Sequence, residues 1–271
     1  MAKRTRGDKA SRRYHNRVAK QYDDLYDDDF WRFHDAVTWE WVKPHLPSDL
    51  SATCLDLGCG TGKWGLKLAK SGFDVTFIDH SPTMVGEVRG KLNGESRLGG
   101  CDAHEADIVD MPMLQPQRYA LTVAMGDPLS ICSDPQRAAN EMFRVCAPGG
   151  VVIATADNRL AAAEAYLDRG DLDGLDRVLK TGRTRWVTAD VAEQFDLHTF
   201  TPDSLRRTFA RSGFDVLAIY GKTVLPIRRN RERLRDGDVY RRLLKAELEL
   251  GADPLHAARA GHLQIHARRP A

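Results

Sequence analysis

Between residues 53 and 155, short apolar runs alternate with segments of helical spacing. The apolar runs fall at 53–57, 74–79, 119–125 and 150–155. They are near-continuous rather than alternating, which fits strands buried on both faces. Helical periodicity fills 63–71, 82–91 and 135–146. Gly72 and the Pro148-Gly149-Gly150 turn mark helix-to-strand junctions, and residues 98–108 hold a weaker third strand. The pattern predicts an α/β fold, a doubly wound, mostly parallel sheet with helices on both faces.

Residues 13–43 carry Tyr14, Val18, Tyr22, Tyr26, Phe30, Phe33, Val37 and Trp41 at helical spacing. They predict two helices, broken near Asp27-Asp28-Asp29 and ending before Pro44 and Pro47. We therefore expect a helical cap over 13–48, preceded by a disordered basic tail over 1–12. Beyond residue 156 the pattern predicts a helix at 159–169, a helix opened by Thr201-Pro202 and capped by Gly213, and strands at 214–220 and 261–267. Residues 226–250 read as helical and basic. One domain over 49–271 thus carries two insertions, 157–199 and 222–260, on the carboxyl side of the sheet. Open α/β sheets bind ligands in that crevice.

Composition adds a charge asymmetry. The 271 residues have a net charge of only +2, yet residues 1–20 hold eight Lys/Arg against Asp8, and residues 222–245 hold nine against three acids. Such basic segments fit an anionic substrate or a nucleic acid. No RNA-binding module is visible, so a small and anionic acceptor is the expectation, with RNA the weaker alternative. Five scattered cysteines without a C-x-x-C pair argue against a disulfide framework and a zinc site. His198, His256, His262 and His266 show no ligand spacing, so no metal is expected. No apolar run approaches a membrane span of about 18 residues. The basic N-terminus lacks an apolar stretch behind it, so it does not read as a secretory signal, and the cytoplasm is the expected location.

The chemistry concentrates at Asp56-Leu57-Gly58-Cys59-Gly60-Thr61-Gly62, where the first apolar run turns into a helix. Gly58, Gly60 and Gly62 let backbone approach a flat ligand closely. The helix N-terminus offers free N–H groups to its polar atoms. Gly60-Thr61-Gly62-Lys63-Trp64-Gly65 also matches G-x-G-x-x-G, with Asp79 following, so a nicotinamide dehydrogenase is a rival.

With Val75-Thr76-Phe77-Ile78-Asp79-His80-Ser81, Glu105-Ala106-Asp107-Ile108 and Val145-Cys146-Ala147-Pro148-Gly149-Gly150 following in order, the chain resembles the class I S-adenosylmethionine-dependent methyltransferases. The resemblance is strong over 50–156 and looser over 195–267. It implies a Rossmann-like seven-stranded sheet whose final hairpin comes from 214–220 and 261–267, and S-adenosylmethionine as cofactor. It further implies Asp79 on the ribose, Asp107 near the adenine, and Met125-Gly126 beside the methionine portion. Asp56 would reach the methionine ammonium, or orient the glycine loop as a buried acid. His80 would lie at the surface or stack near the adenine, and Tyr14 and Tyr22, eight residues apart on one helix face, would close as an aromatic lid or pack as ordinary core residues. Methyl transfer needs chiefly positioning and exclusion of water. Asp127, in Gly126-Asp127-Pro128-Leu129-Ser130, is the candidate acceptor-side catalyst. That stretch departs from the N/D-P-P-Y/F of amine-methylating relatives, which leaves the acceptor class open. It also keeps alive a displacement or cyclisation on the same fold. Asp157-Asn158-Arg159 lines the acceptor pocket or caps a helix.

Overall fold

The computed structural model describes residues 6–95 and 100–271. Helices α1 (Arg6–Val18), α2 (Tyr22–Leu25) and α3 (Asp29–Val42) come first. Then follow β1 (Thr53–Leu57), α4 (Lys63–Lys70), β2 (Asp74–Asp79), α5 (Pro82–Asn93), β3 (Asp102–Glu105), β4 (Tyr119–Ala124), α6 (Pro128–Ile131), α7 (Pro135–Val145) and β5 (Cys146–Asp157). The remainder runs α8 (Arg159–Asp168), α9 (Leu172–Thr181), β6 (Arg183–Trp186), β7 (Phe195–His198), α10 (Pro202–Arg211), β8 (Asp215–Lys222), α11 (Gly237–Ala252), α12 (Pro254–Ala257) and β9 (His262–Arg268).

Seven strands form one sheet in the order β3-β2-β1-β4-β5-β9-β8. The first five pair in parallel, and β9 runs antiparallel to both β5 and β8. This is the expected sheet, with its terminal hairpin. Alternate residues feed two apolar layers, as a period of two requires. Leu55, Leu57, Val152 and Ala154 enter one layer, whereas Cys54, Leu121, Val123 and Ile153 enter the other. Chain order reverses between β1 and β4, so the carboxyl ends of those neighbours open a crevice.

Three expectations change. Residues 6–12 are not a disordered tail: they belong to α1, because Ala10 packs against Phe195 and Leu197 and Arg12 pairs with Glu105 at 2.7 Å. Residues 1–5 lie outside the described residues. The stretch between 183 and 198 forms a two-stranded ribbon, β6 with β7, on which α1 rests. Residues 226–250 split into a 3-10 segment, Ile227–Arg235, and α11. The break near 27–29 is as expected, with Asp28 capping α3 by accepting from Trp31 N at 2.8 Å.

Candidate functional site

A cavity of about 530 Å³ lies over the carboxyl ends of β1, β2, β4 and β5. Its floor is the turn after β1. Gly58 and Gly60 there have φ of +62° and +53°, the left-handed region that favours glycine. A Cβ on Gly58 would stand 2.5 Å from Pro128 Cβ, so a side chain would push the β4 loop away. Asp79, at the tip of β2 and 7% exposed, ties this floor together. Its Oδ2 accepts from Gly60 N at 2.9 Å and its Oδ1 from Ser81 N at 2.8 Å. Each oxygen has two acceptor positions, so each keeps one beyond these bonds.

Of the residues read from the sequence as cofactor-side, Gly58, Gly60, Asp79, His80, Asp107, Met125, Gly126 and Tyr22 line this cavity. Asp56 and Gly62 do not. Asp56 is 1% exposed and its Oδ2 accepts from Gly65 N at 2.7 Å, so it fixes the start of α4 from behind the floor instead of facing a ligand. Burial pushes its carboxyl up to about 7, against the pull of the Gly65 N–H. Gly62 is buried and packs toward Val88 and Leu66. Gly65 is the third glycine of the G-x-G-x-x-G match, and its role is packing: a Cβ there would meet Phe77 at 2.2 Å.

The roof comes from α1 and α2. Tyr22 lies over the floor, its ring 3.5 Å from where a Gly60 Cβ would be. Asp23 holds the roof down: it accepts from Thr61 Oγ1 and pairs with Lys91 at 2.7 Å. Arg17 forks onto the buried Glu193 at 2.6–2.9 Å, and Tyr14 packs edge-on against Trp186 at 5.5 Å. Sequence reasoning had paired Tyr14 with Tyr22 as a lid, and both line the cavity.

The far end of the cavity holds a polar cluster. Asp127 sits at φ +63°, a strained value for a non-glycine residue. Its N–H donates to Thr155 Oγ1 at 3.0 Å, and its Oδ2 lies 3.5 Å from His262 Nε2. Asp157 Oδ1 lies 3.8 Å from the same nitrogen. Lys222, 1% exposed, donates to Thr38 Oγ1 at 3.3 Å. His34 and Trp31 of α3 cover the group, with His34 5.2 Å from His262 ring to ring.

Charge interplay here is strong. Burial alone would raise Asp127, but His262 and Lys222 outweigh it and hold it below the usual carboxylate range. Burial and the Asp127 charge raise Asp157 toward neutrality. Burial lowers His262 against the pull of Asp127, helped by Lys222 and Arg228. Burial likewise lowers Lys222, against Asp127, Asp35 and Asp157.

Sequence reasoning named Asp127 and Asp157 but missed His262, Lys222 and His34. Asn158 instead caps α8, accepting from Leu160 N at 3.2 Å. Among the described residues Asp127, Asp157 and His262 offer atoms within 4.8 Å of one another, the one grouping with the spacing of metal ligands, where sequence spacing gave none.

Residues 54–150 match the family model of a methyltransferase domain. A demethylmenaquinone methyltransferase from Leptospira interrogans is 29% identical over 146 residues, 51% of this chain and 56% of that protein. A 2-phytyl-1,4-naphtoquinone methyltransferase from a Nostoc species is 29% identical over 142 residues, 49% of this chain and 58% of its own length. The chain thus spans little more than half the length of these curated relatives. A solved S-adenosylmethionine-dependent methyltransferase from Listeria monocytogenes superposes with a TM-score of 0.62 at 18% identity, covering 87% of this chain and 98% of that one. That likeness establishes the fold. No helix among the described residues is long and apolar enough to cross a membrane.

Proposed function

We propose that this chain, a member of the class I S-adenosylmethionine-dependent methyltransferase superfamily, moves the cofactor's methyl group onto a small, ring-bearing and anionic acceptor. The observation that carries the reading is one cavity with two chemically different ends. The glycine floor and Asp79 fit an adenosine. The two free acceptor positions of the carboxylate suit vicinal ribose hydroxyls, and Asp107 and His80 line the wall where the base would lie. The bound sulfonium supplies an electrophilic methyl carbon and its own leaving group.

The chain's residues hold, orient and exclude water. Met125 and Gly126 line the cavity just past β4, Tyr22 and Tyr14 roof the glycine floor, and Trp31 and His34 cover the group around His262. Both relatives are named for naphthoquinone-type substrates, which supports a flat ring here. Arg228 supports the anionic character: it lines the cavity with its guanidinium 4.1 Å from the Phe30 ring centre. Other arginines of that segment are engaged by the start of α3, Arg235 on Asp29 at 2.9 Å and Arg231 on Asp28 at 3.9 Å. Arg228 is the arginine of that segment that lines the cavity, which makes it the residue for the acceptor. Five free thiols suit a reducing compartment, which supports a cytoplasmic location.

Thermal unfolding with S-adenosylhomocysteine and, separately, with a nicotinamide dinucleotide tests the cofactor. Labelled methyl transfer to hydroxylated naphthoquinols tests the reaction. Stabilisation by S-adenosylhomocysteine alone and labelled product are expected; stabilisation by the dinucleotide alone would overturn the reading.

A further inference from the structure

The sheet register sets three ionisable side chains in one row. Asp157 of β5 faces His262 of β9, and His262 faces Lys222 of β8. Directly paired residues project from the same face of a sheet, so all three point to the side that α3 covers. All three also line the far end of the cavity.

The row is built under strain. Thr223, next to Lys222, and Asp127, against His262, have φ of +60° and +63°. A β-branched threonine at that angle is a marked outlier. Such strain persists only where the surroundings impose it, and it gathers at ligand sites.

Lys222 is the unusual member. Its ammonium is almost fully buried, yet its hydrogen bond is a long one to a threonine hydroxyl. Asp127, Asp35 and Asp157 act on it as charges without an ion-pair contact among the described residues. An ammonium carries three donors, and a buried one left short of partners is costly. Around the row stand Asp127 from the β4 loop, His34 and Asp35 from α3, and Arg228 from the 3-10 segment.

We propose that the acceptor presents an acidic hydroxyl, a phenol or enol, that Asp157 takes its proton, and that Lys222 holds the oxyanion so formed. This deepens the methyl-transfer reading and rests on it. In the step, the acceptor's O–H bond breaks and the proton passes to the Asp157 carboxylate. The electron pair left on the acceptor, on oxygen or shared with the adjoining ring carbon, forms the new bond to the methyl carbon. The carbon–sulfur bond breaks as sulfur keeps its electron pair, and Asp157 later returns the proton to solvent. Burial keeps Asp157 ready to accept a proton near neutral pH, where a general base works best. His262, between Asp127 and Asp157, is a positioning residue. An ammonium acceptor is disfavoured because Lys222 already brings positive charge to the same carboxylates.

The test is a nitrophenol dye whose ionised form absorbs in the visible, added to the full chain with S-adenosylhomocysteine at a pH below the dye's own pKa. The wild type should bind it ionised, its pKa lowered by about 1–3 units, the effect of an opposite charge at close range. Lys222→Met keeps roughly the length of the side chain without its charge, and a thermal melt checks that the variant is folded before the dye is added. It should bind the dye neutral, whereas Lys222→Arg should restore ionisation. Dye that stays neutral in the wild type, or ionises equally in Lys222→Met, overturns the proposal. Loss of ionisation in the wild type on adding a divalent metal ion would also overturn it, by making the Asp127–Asp157–His262 group a metal site. The readout needs no methyl transfer. An ionised dye without labelled product would sink the reaction reading, and the transfer step with it, while leaving the oxyanion site at Lys222; labelled product with a neutral dye would sink this proposal alone.

Discussion

Asp79 holds the loop with the same two oxygens that the proposed function turns toward the ribose. Asp79→Ala should weaken S-adenosylhomocysteine binding by about 1.5–3 kcal/mol, the range for hydrogen bonds to a charged group. Calorimetric titration checks this, with a separate melt to record what the loop loses when Gly60 N and Ser81 N lose their acceptor. Asp56 makes a different prediction. Its folded pKa is raised to about 7, far above an unfolded aspartate. The folded state therefore binds that proton more tightly, and the associated stability is full below about pH 4 and lost as pH rises through 7. Asp56→Asn keeps an acceptor for Gly65 N and removes the titration, so denaturant melts should show the variant gaining roughly 2–4 kcal/mol on the wild type over that range. Equal pH slopes would contradict it. Both aspartates were visible in the sequence, Asp56 because it adjoins the glycines and Asp79 because it ends the second apolar run. For Asp56 the sequence left two roles open, ammonium contact or buried support of the loop, and could not choose between them. That depends on which face of β1 meets α4, and on Gly65 letting the helix close in.

Elements differed in legibility for physical reasons. The central strands are buried on both sides, so their apolar runs stand out. The β6–β7 ribbon does not: Arg183-Thr184-Arg185-Trp186 is half exposed, and the ribbon is held by packing against α1, α6 and α9. The start of α1, before residue 13, was hidden by its own charges. Its apolar stripe is thin, Ala10, Tyr14 and Val18 at four-residue steps, amid basic residues that solvate the other face. Its partner is equally obscure in sequence, since Glu193 is a buried acid that makes sense only with Arg17 beside it. Glu193→Ala should therefore loosen α1 before the sheet. Limited proteolysis should cut within residues 6–18 sooner in the variant, and the main thermal transition should move little. Cleavage starting in the sheet would contradict this.

Across the whole molecule, one end of the cavity is written locally and the other is assembled from afar. The floor spans residues 58–79, whereas the acceptor row draws on residues 34, 127, 157, 222 and 262. Only the register of β5, β9 and β8 brings the last three together. Polar residues at the tips of three strands carry no local signature, which is why the acceptor class stayed open in the sequence. Ligand binding should be felt globally, because floor and roof come from different elements, the turn after β1 and the helices α1 and α2. S-adenosylhomocysteine at a hundred times its Kd should add about 2.7 kcal/mol to the unfolding free energy. Asp23, the one aspartate tying the roof to Thr61 and Lys91, then takes on a temporal meaning. On the proposed reading, a molecule resting on Gly60 would lie beneath Tyr22, and this latch would then time its departure.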